Sequence, residues 1–297
     1  MKQLKVMLLV WVVALLAACG TTRTVPITGR KQSLMVSNQE IMSLSNKEYS
    51  QYMQSAKKST NAANTAMVVR VGKKLATAVE NYLRNNGMAA EVSEYSWEFN
   101  LVQDKSANAF CLPGGKIVVF EGLLPYTKNE NGLAIVLGHE IAHAVGKHSA
   151  EQISKQIKQQ YGTQLLSSVL NAATGTNVGS YAAVLAQQGL KLRNLKYSRD
   201  HETEADHMGL IFAAMAGYDP NVAVTFWQRM SQATGSTGYE SDMFSDHPSD
   251  AKRIAAIKQE LPEALTYYKP VTTSTTKKSN TNKKKTTTKR TTTTRRK

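Results

Sequence analysis

The stretch His139-Glu140-Ile141-Ala142-His143 decides the reading of this chain, because in a helix it sets two imidazoles on one face with a carboxylate beside them. Four residues of α-helix turn through about 400°, so His139 and His143 stand one turn apart, close enough to share a metal ion. The neighbouring residues argue for that helix. Asn131 and Gly132 precede Leu133-Ala134-Ile135-Val136-Leu137, and the apolar run continues through Ile141, Ala142 and Val145 without a proline. Burying two histidines and a glutamate together costs several kcal/mol unless something compensates, and a metal ion is the simplest compensation.

Two imidazoles leave the ligand set short by one. A third histidine just past a glycine would complete one known pattern, but that position is Ser149. His148 comes one residue early. On a continuing helix it would point about 140° from His143 and about 180° from His139, so it reads as a surface histidine. A second helix offers a better source in Glu202-Thr203-Glu204-Ala205-Asp206. Glu202 and Asp206 share a helical face, so one can bind metal while the other orients a ligating imidazole through its free ring N–H. That helix is expected from Ser198 or Arg199 to Ala216, with Ala205, Met208, Ile211, Phe212 and Met215 as its apolar stripe and Gly217 ending it. Acidic residues in a first turn also suit the helix dipole, which alone would explain Glu202 and Glu204. Their pairing with the histidine motif makes them metal-site candidates.

These motifs resemble the gluzincin metallopeptidases related to the CAAX prenyl proteases and the mitochondrial Oma-type protease. The resemblance covers roughly residues 95 to 262. It includes the His139–His143 motif, Glu202-x-x-Ala205-Asp206, and His247-Pro248 followed by Arg253 in a final helix. Asn108-Ala109-Phe110, ahead of Gly114-Gly115, also looks like the family's substrate-side hairpin. The resemblance implies an α+β fold: a mostly helical zincin-type peptidase domain with a small sheet or hairpin beside the active-site helix. It further implies one zinc ion per chain on His139, His143 and Glu202, with Asp206 behind them. Asn108 and Ala109 would lie on an edge strand that pairs with an extended peptide. His247 would stand near the metal, able to donate to the oxyanion of the reaction.

The chemistry follows from residue types. Two neutral imidazoles and a carboxylate leave a fourth zinc position for water, whose pKa falls toward about 7. Glu140 can accept its proton as it attacks a peptide carbonyl, then pass that proton to the leaving amine. The competing reading is a chaperone or adaptor that keeps the metal site and cleaves nothing. Glu140 argues against it, since a structural zinc site has no use for a base and closes its fourth position. A third reading is a peptidase held latent by His247 or by a lid.

The ends of the chain carry different information. Lys2 and Lys5 precede an apolar run from Val6 to Leu16 that ends in Leu16-Ala17-Ala18-Cys19. This resembles a bacterial lipoprotein signal peptide, residues 1–18, cleaved before a lipidated Cys19. Residues 19–36 would then be a lipid-anchored tether and the protein would face the periplasm, with Gly20 favouring the outer membrane. Cys111 is the only other cysteine, so the mature chain has no intramolecular disulfide. Residues 271–297 read as a disordered basic tail with ten Lys and Arg from Thr272 onward and no acid. Without those ten and the two signal-peptide lysines the net charge drops from +15 to +3. The tail suits anionic lipid head groups or cell-wall polymers, with a merely solvating tail as the alternative, and no nucleic-acid partner is expected of an exported lipoprotein. The peptidase domain is expected over 37–270. It should open with helices near 38–57 and 65–86, then a strand over Tyr95–Val102. Gln152 to Leu195 reads as mostly helical packing, with a mobile lid as the alternative. The substrates implied are proteins and peptides, with misfolded envelope proteins a plausible class.

Overall fold

The computed structural model describes residues 21–159, 189–233 and 251–269 of the 297. The first helix, α1 (Asn38–Ser55), is started by Ser37. Its side chain accepts from the Glu40 N–H while the Glu40 carboxylate accepts from the Ser37 N–H, closing a capping box. The next, α2 (Ala62–Asn85), is capped by Asn61 and buries Val68, Val71, Leu75, Val79 and Leu83, a stripe at three- and four-residue spacing.

Three strands follow as one sheet in the order β3-β5-β4, where β3 is Glu98–Val102, β4 is Ala109–Leu112 and β5 is Lys116–Phe120. β5 is buried along its whole length, as a central strand must be, and pairs parallel with β3 and antiparallel with β4. β3 begins later than the residue pattern suggested. Tyr95 and Trp97 stack on each other at 4.7 Å, ahead of the ladder.

The helix α3 (Glu130–Val145) starts at Asn129, whose side chain accepts from the Gly132 N–H. Every residue from Gly132 to His143 is buried, which is why its sequence shows an apolar run rather than an amphipathic stripe. α4 (Arg199–Met215) is capped by Ser198, as expected, and buries Ala205, Met208, Ile211 and Phe212 against α3. α5 (Val222–Ala233) and α6 (Ala251–Tyr267) close the far side, with Phe226, Trp227, Ile257 and Ala264 in the shared core. The mostly helical α+β architecture is that expected from the sequence.

The expected tether at 19–36 contains folded structure. Strands β1 (Thr21–Thr24) and β2 (Lys31–Leu34) pair antiparallel, with Thr21 opposite Leu34 and Thr24 opposite Lys31. Val25 at their turn is 1% exposed within the main core. The hairpin is held by distant charges: Arg23 forks onto Glu91 and donates to the Val145 carbonyl, and Arg30 reaches Glu151 and Glu204. Local composition shows none of these partners, so the strands were invisible as a pattern.

Candidate metal centre

α3 and α4 cross glycine on glycine. A Cβ on Gly138 would stand 2.7 Å from the Gly209 carbonyl oxygen, and one on Gly209 would stand 2.7 Å from His139 N. This backbone approach brings two histidines of α3 against two carboxylates of α4. His139 Nε2 and His143 Nε2 lie 3.0 Å apart. Glu202 Oε2 is 3.4 Å from the first and Oε1 is 3.5 Å from the second. All three residues are buried, and their ligand atoms lie within 4.8 Å of one another.

The far nitrogen of each ring has its own contact. His139 Nδ1 is 2.9 Å from Asp206 Oδ1, and His143 Nδ1 is 2.9 Å from His148 Nδ1. With the ring proton at Nδ1 in both cases, each Nε2 carries a lone pair. Two ring nitrogens and a carboxylate converging in a buried volume are a donor set that a single cation can join. The imidazole and carboxylate set fits zinc.

Asp206 is held ionised. Burial alone would raise its pKa, but the charge of Arg253 and the hydrogen bond with His139 outweigh burial and lower it. Arg253 of α6 donates Nε to Oδ2 and Nη2 to Oδ1, both at 2.7 Å, and its guanidinium lies 3.5 Å from the centroid of Trp227. The final-helix arginine singled out in the sequence thus grips the carboxylate behind His139. Trp227 beneath it gave no sequence signal beyond being apolar.

Glu140 is buried beside the cluster and borders a narrow cleft lined by Asn108, Ala109, Cys111, Leu195 and Tyr197. β4, which holds Ala109, is an edge strand of its sheet. The Phe120 N–H donates to the Asn108 carbonyl, so Ala109, opposite Val119, falls on the alternate phase and turns its peptide groups away from β5, to the side of the strand that no described strand pairs. There its N–H donates to Asn108 Oδ1 at 2.7 Å. Cys111 is a buried free thiol. His247 and Cys19 lie outside the described residues, as does most of the segment expected as packing or lid.

His148 is not at the surface; it is fully buried. The spacing argument assumed one continuous helix, but α3 ends at Val145, Lys147 takes a left-handed backbone with φ 52°, and helix resumes at 148. That break swings the imidazole inward, onto His143 on one side and Glu204 on the other, 3.0 Å from its Nε2. Burial keeps His148 neutral, lowering its pKa to about 4. Tyr197 was also missed; it stacks on His143 with ring centroids 4.1 Å apart.

Imidazole pairs on one helix, answered by Glu and Asp one turn apart on a crossing helix, define the zincin class of metallopeptidase. Within that class the chain belongs to peptidase family M48, whose profile matches residues 50–261. It is 45% identical over 175 residues to the mitochondrial metalloendopeptidase OMA1 of Schizosaccharomyces pombe, covering 58% of this chain and 49% of that protein. It is 30% identical over 244 residues to the human mitochondrial metalloendopeptidase OMA1, covering 81% of this chain and 46% of that one. The beta-barrel assembly-enhancing protease of Escherichia coli is 27% identical over 161 residues, covering 54% of this chain and 33% of its own. The chain thus spans half or less of the length of these relatives.

Proposed function

We propose that this chain is a zinc-dependent endopeptidase with His139, His143 and Glu202 as metal ligands and Glu140 as general base. The observation that carries the reading is the convergence of the two Nε2 atoms and the Glu202 carboxylate next to the buried Glu140. A zinc ion bound there would supply a Lewis acid for the peptide carbonyl and lower the pKa of water. Glu140 takes the proton of the attacking water on its carboxylate and returns it to the leaving amine. Asp206, fixed by Arg253, holds the His139 ring in the tautomer that turns Nε2 inward. The side of β4 away from β5, which borders the narrow cleft beside Glu140, receives an extended substrate at Asn108 and Ala109. Its side-chain bond to the Ala109 N–H is then exchanged for one to the incoming peptide.

The test is metal content against turnover. Glu140→Gln is expected to keep about one zinc per chain while losing casein hydrolysis by about 10³-fold or more, as removal of a general base demands. His143→Ala and Glu202→Ala should lower the zinc content itself. Full zinc in Glu202→Ala would remove that residue from the ligand set, and hydrolysis by zinc-free protein would sink the whole reading.

The cellular setting rests on sequence. Leu16-Ala17-Ala18-Cys19 supports an acylated, envelope-facing protein, and the name of the Escherichia coli relative supports a role in envelope protein quality control. Among the described residues no helix is long and apolar enough to cross a membrane. Retention of metabolic lipid label by Cys19→Ala would refute the anchor.

A further inference from the structure

One network, buried at His148, His201, Glu151 and Glu204 and partly exposed at Arg30, adjoins the metal centre without belonging to it. From the outer nitrogen of His143 the contacts run to His148 Nδ1 at 2.9 Å, then from His148 Nε2 to Glu204 Oε2 at 3.0 Å. Glu204 accepts from Arg30 Nη2 at 2.7 Å and from the Thr28 hydroxyl at 2.6 Å. Arg30 divides its guanidinium between two carboxylates, donating Nη1 to Glu151 Oε1 at 3.0 Å as well. Gln32, on the same hairpin, donates to Glu151 at 2.9 Å. His201 lies flat on His148 at 4.6 Å between centroids and meets Glu151 at 3.2 Å.

These contacts have only one consistent proton arrangement for neutral rings. Glu204 accepts only, so His148 must carry its proton on Nε2 and offer a lone pair at Nδ1. That lone pair requires the His143 proton to sit on Nδ1, which leaves His143 Nε2 as the acceptor facing His139 and Glu202. We propose that His148 and Glu204 are positioning residues that set the tautomer and angle of His143, with Arg30 of the N-terminal hairpin as the anchor of the relay. It is the counterpart, for the second histidine, of what Asp206 and Arg253 do for the first. The device explains two features that had no purpose in the sequence. Lys147 breaks the helix so that His148 can turn inward. Gly146 leaves room for the ring, because a Cβ there would stand 2.5 Å from His148 Nε2.

The inference rests on the reading of His143 as a zinc ligand, so its test carries a readout that does not. In the full chain labelled with ¹⁵N-histidine and stripped of metal, His143 should resonate as the Nδ1–H tautomer. In His148→Ala it should become a mixture of both tautomers. Competition with a chelator of known affinity should show the zinc dissociation constant of His148→Ala raised by about 10- to 100-fold, the cost found for lost outer partners of ligating histidines. Glu204→Met should raise it less, and adding Glu204→Met to His148→Ala should cost little more, since both cut one chain. Gly146→Ala removes no polar atom yet should displace the ring and weaken zinc as well, which keeps the test open if His148→Ala fails to fold. Unchanged zinc affinity with an unchanged His143 tautomer, in any of these variants that folds, overturns the relay; so does full additivity. If instead the tautomer shifts while zinc affinity stays put, and His143→Ala also keeps its zinc, the ligand assignment fails and the relay stands as a purely structural network.

Discussion

Glu260 of α6 is a carboxylate in the wrong place for its charge. Its Oε2 is buried with no hydrogen-bond partner among the described residues, and His207 Nδ1 stays 3.8 Å from Oε1. Burial, then the negative charges of Asp206 and Glu263, push its pKa from 4.5 up to about 8. The sign follows from linkage. Between those two values the unfolded chain has lost a proton that the folded chain keeps. Stability is therefore fully present below the ordinary value and is lost as pH rises through about 8. Glu260→Gln keeps the shape and removes the titration, so thermal melts should show it more stable than the parent at pH 8.5, by on the order of 1 kcal/mol, and nearly level at pH 4.5. An equal shift at both pH values would show that packing, not charge, separates the two. At this scale the sequence was most legible where a motif fixes residue types at a spacing. His139, His143, Glu202 and Asp206 converge as the spacing required, and Arg253 joins them. It was least legible where one backbone angle decides direction, as at Lys147, whose left-handed turn buries a histidine that helical geometry would have put in water.

The crossing of α3 and α4 is the element that assembles the centre, and it depends on two glycines rather than on the polar residues. Gly209 falls inside an otherwise good helix former, at an intrinsic cost of about 1 kcal/mol relative to alanine. That cost is accepted because a Cβ there would strike the backbone of His139. Gly209→Ala should therefore run against propensity: destabilising by about 1–3 kcal/mol through overpacking, and weakening zinc by spreading Glu202 from the two imidazoles. Chemical denaturation and zinc competition on the same preparation measure both effects. A stabilised variant with unaltered zinc affinity would mean the helices can slide apart without cost. Elements with a local signature were readable: the start of α4 at Ser198, the amphipathic α2, and the Gly114-Gly115 turn between β4 and β5. The β1–β2 hairpin was not, because its strands, Thr21-Thr-Arg-Thr24 and Lys31-Gln-Ser-Leu34, are mostly polar on both faces. What holds it is Arg23 on Glu91 and Arg30 on Glu151 and Glu204, contacts 68 to 174 residues apart in the chain.

For the molecule as a whole the question is how much of the fold depends on the metal. The main core runs unbroken from α2 through the sheet to α3, α4, α5 and α6, and includes Leu75, Leu133, Leu137, Ile141, Phe212, Phe226 and Trp227, each 1% exposed or less. Side chains of that kind contribute about 1.5–3 kcal/mol each on burial, so this core outweighs a single ion site many times over. Zinc removal is therefore expected to leave the helices formed. It should still cost stability, because the centre gathers two imidazoles and two carboxylates that the bound cation would join. A ligand held at about 100 times its dissociation constant adds about 2.7 kcal/mol to a folded state. In a domain of this size that corresponds to a fall of roughly 5–10 °C in Tm on chelation. Circular dichroism with a thermal ramp, before and after a zinc-selective chelator, tests both halves of the expectation: helical signal retained at 25 °C, midpoint lowered, and both restored by added zinc. Loss of the helical signal at 25 °C on chelation would make the metal a folding element, and would move the role of His139, His143 and Glu202 from chemistry alone to the architecture itself. An unmoved midpoint would mean that the folded chain gains nothing from zinc and that the cluster closes on itself through its own hydrogen bonds.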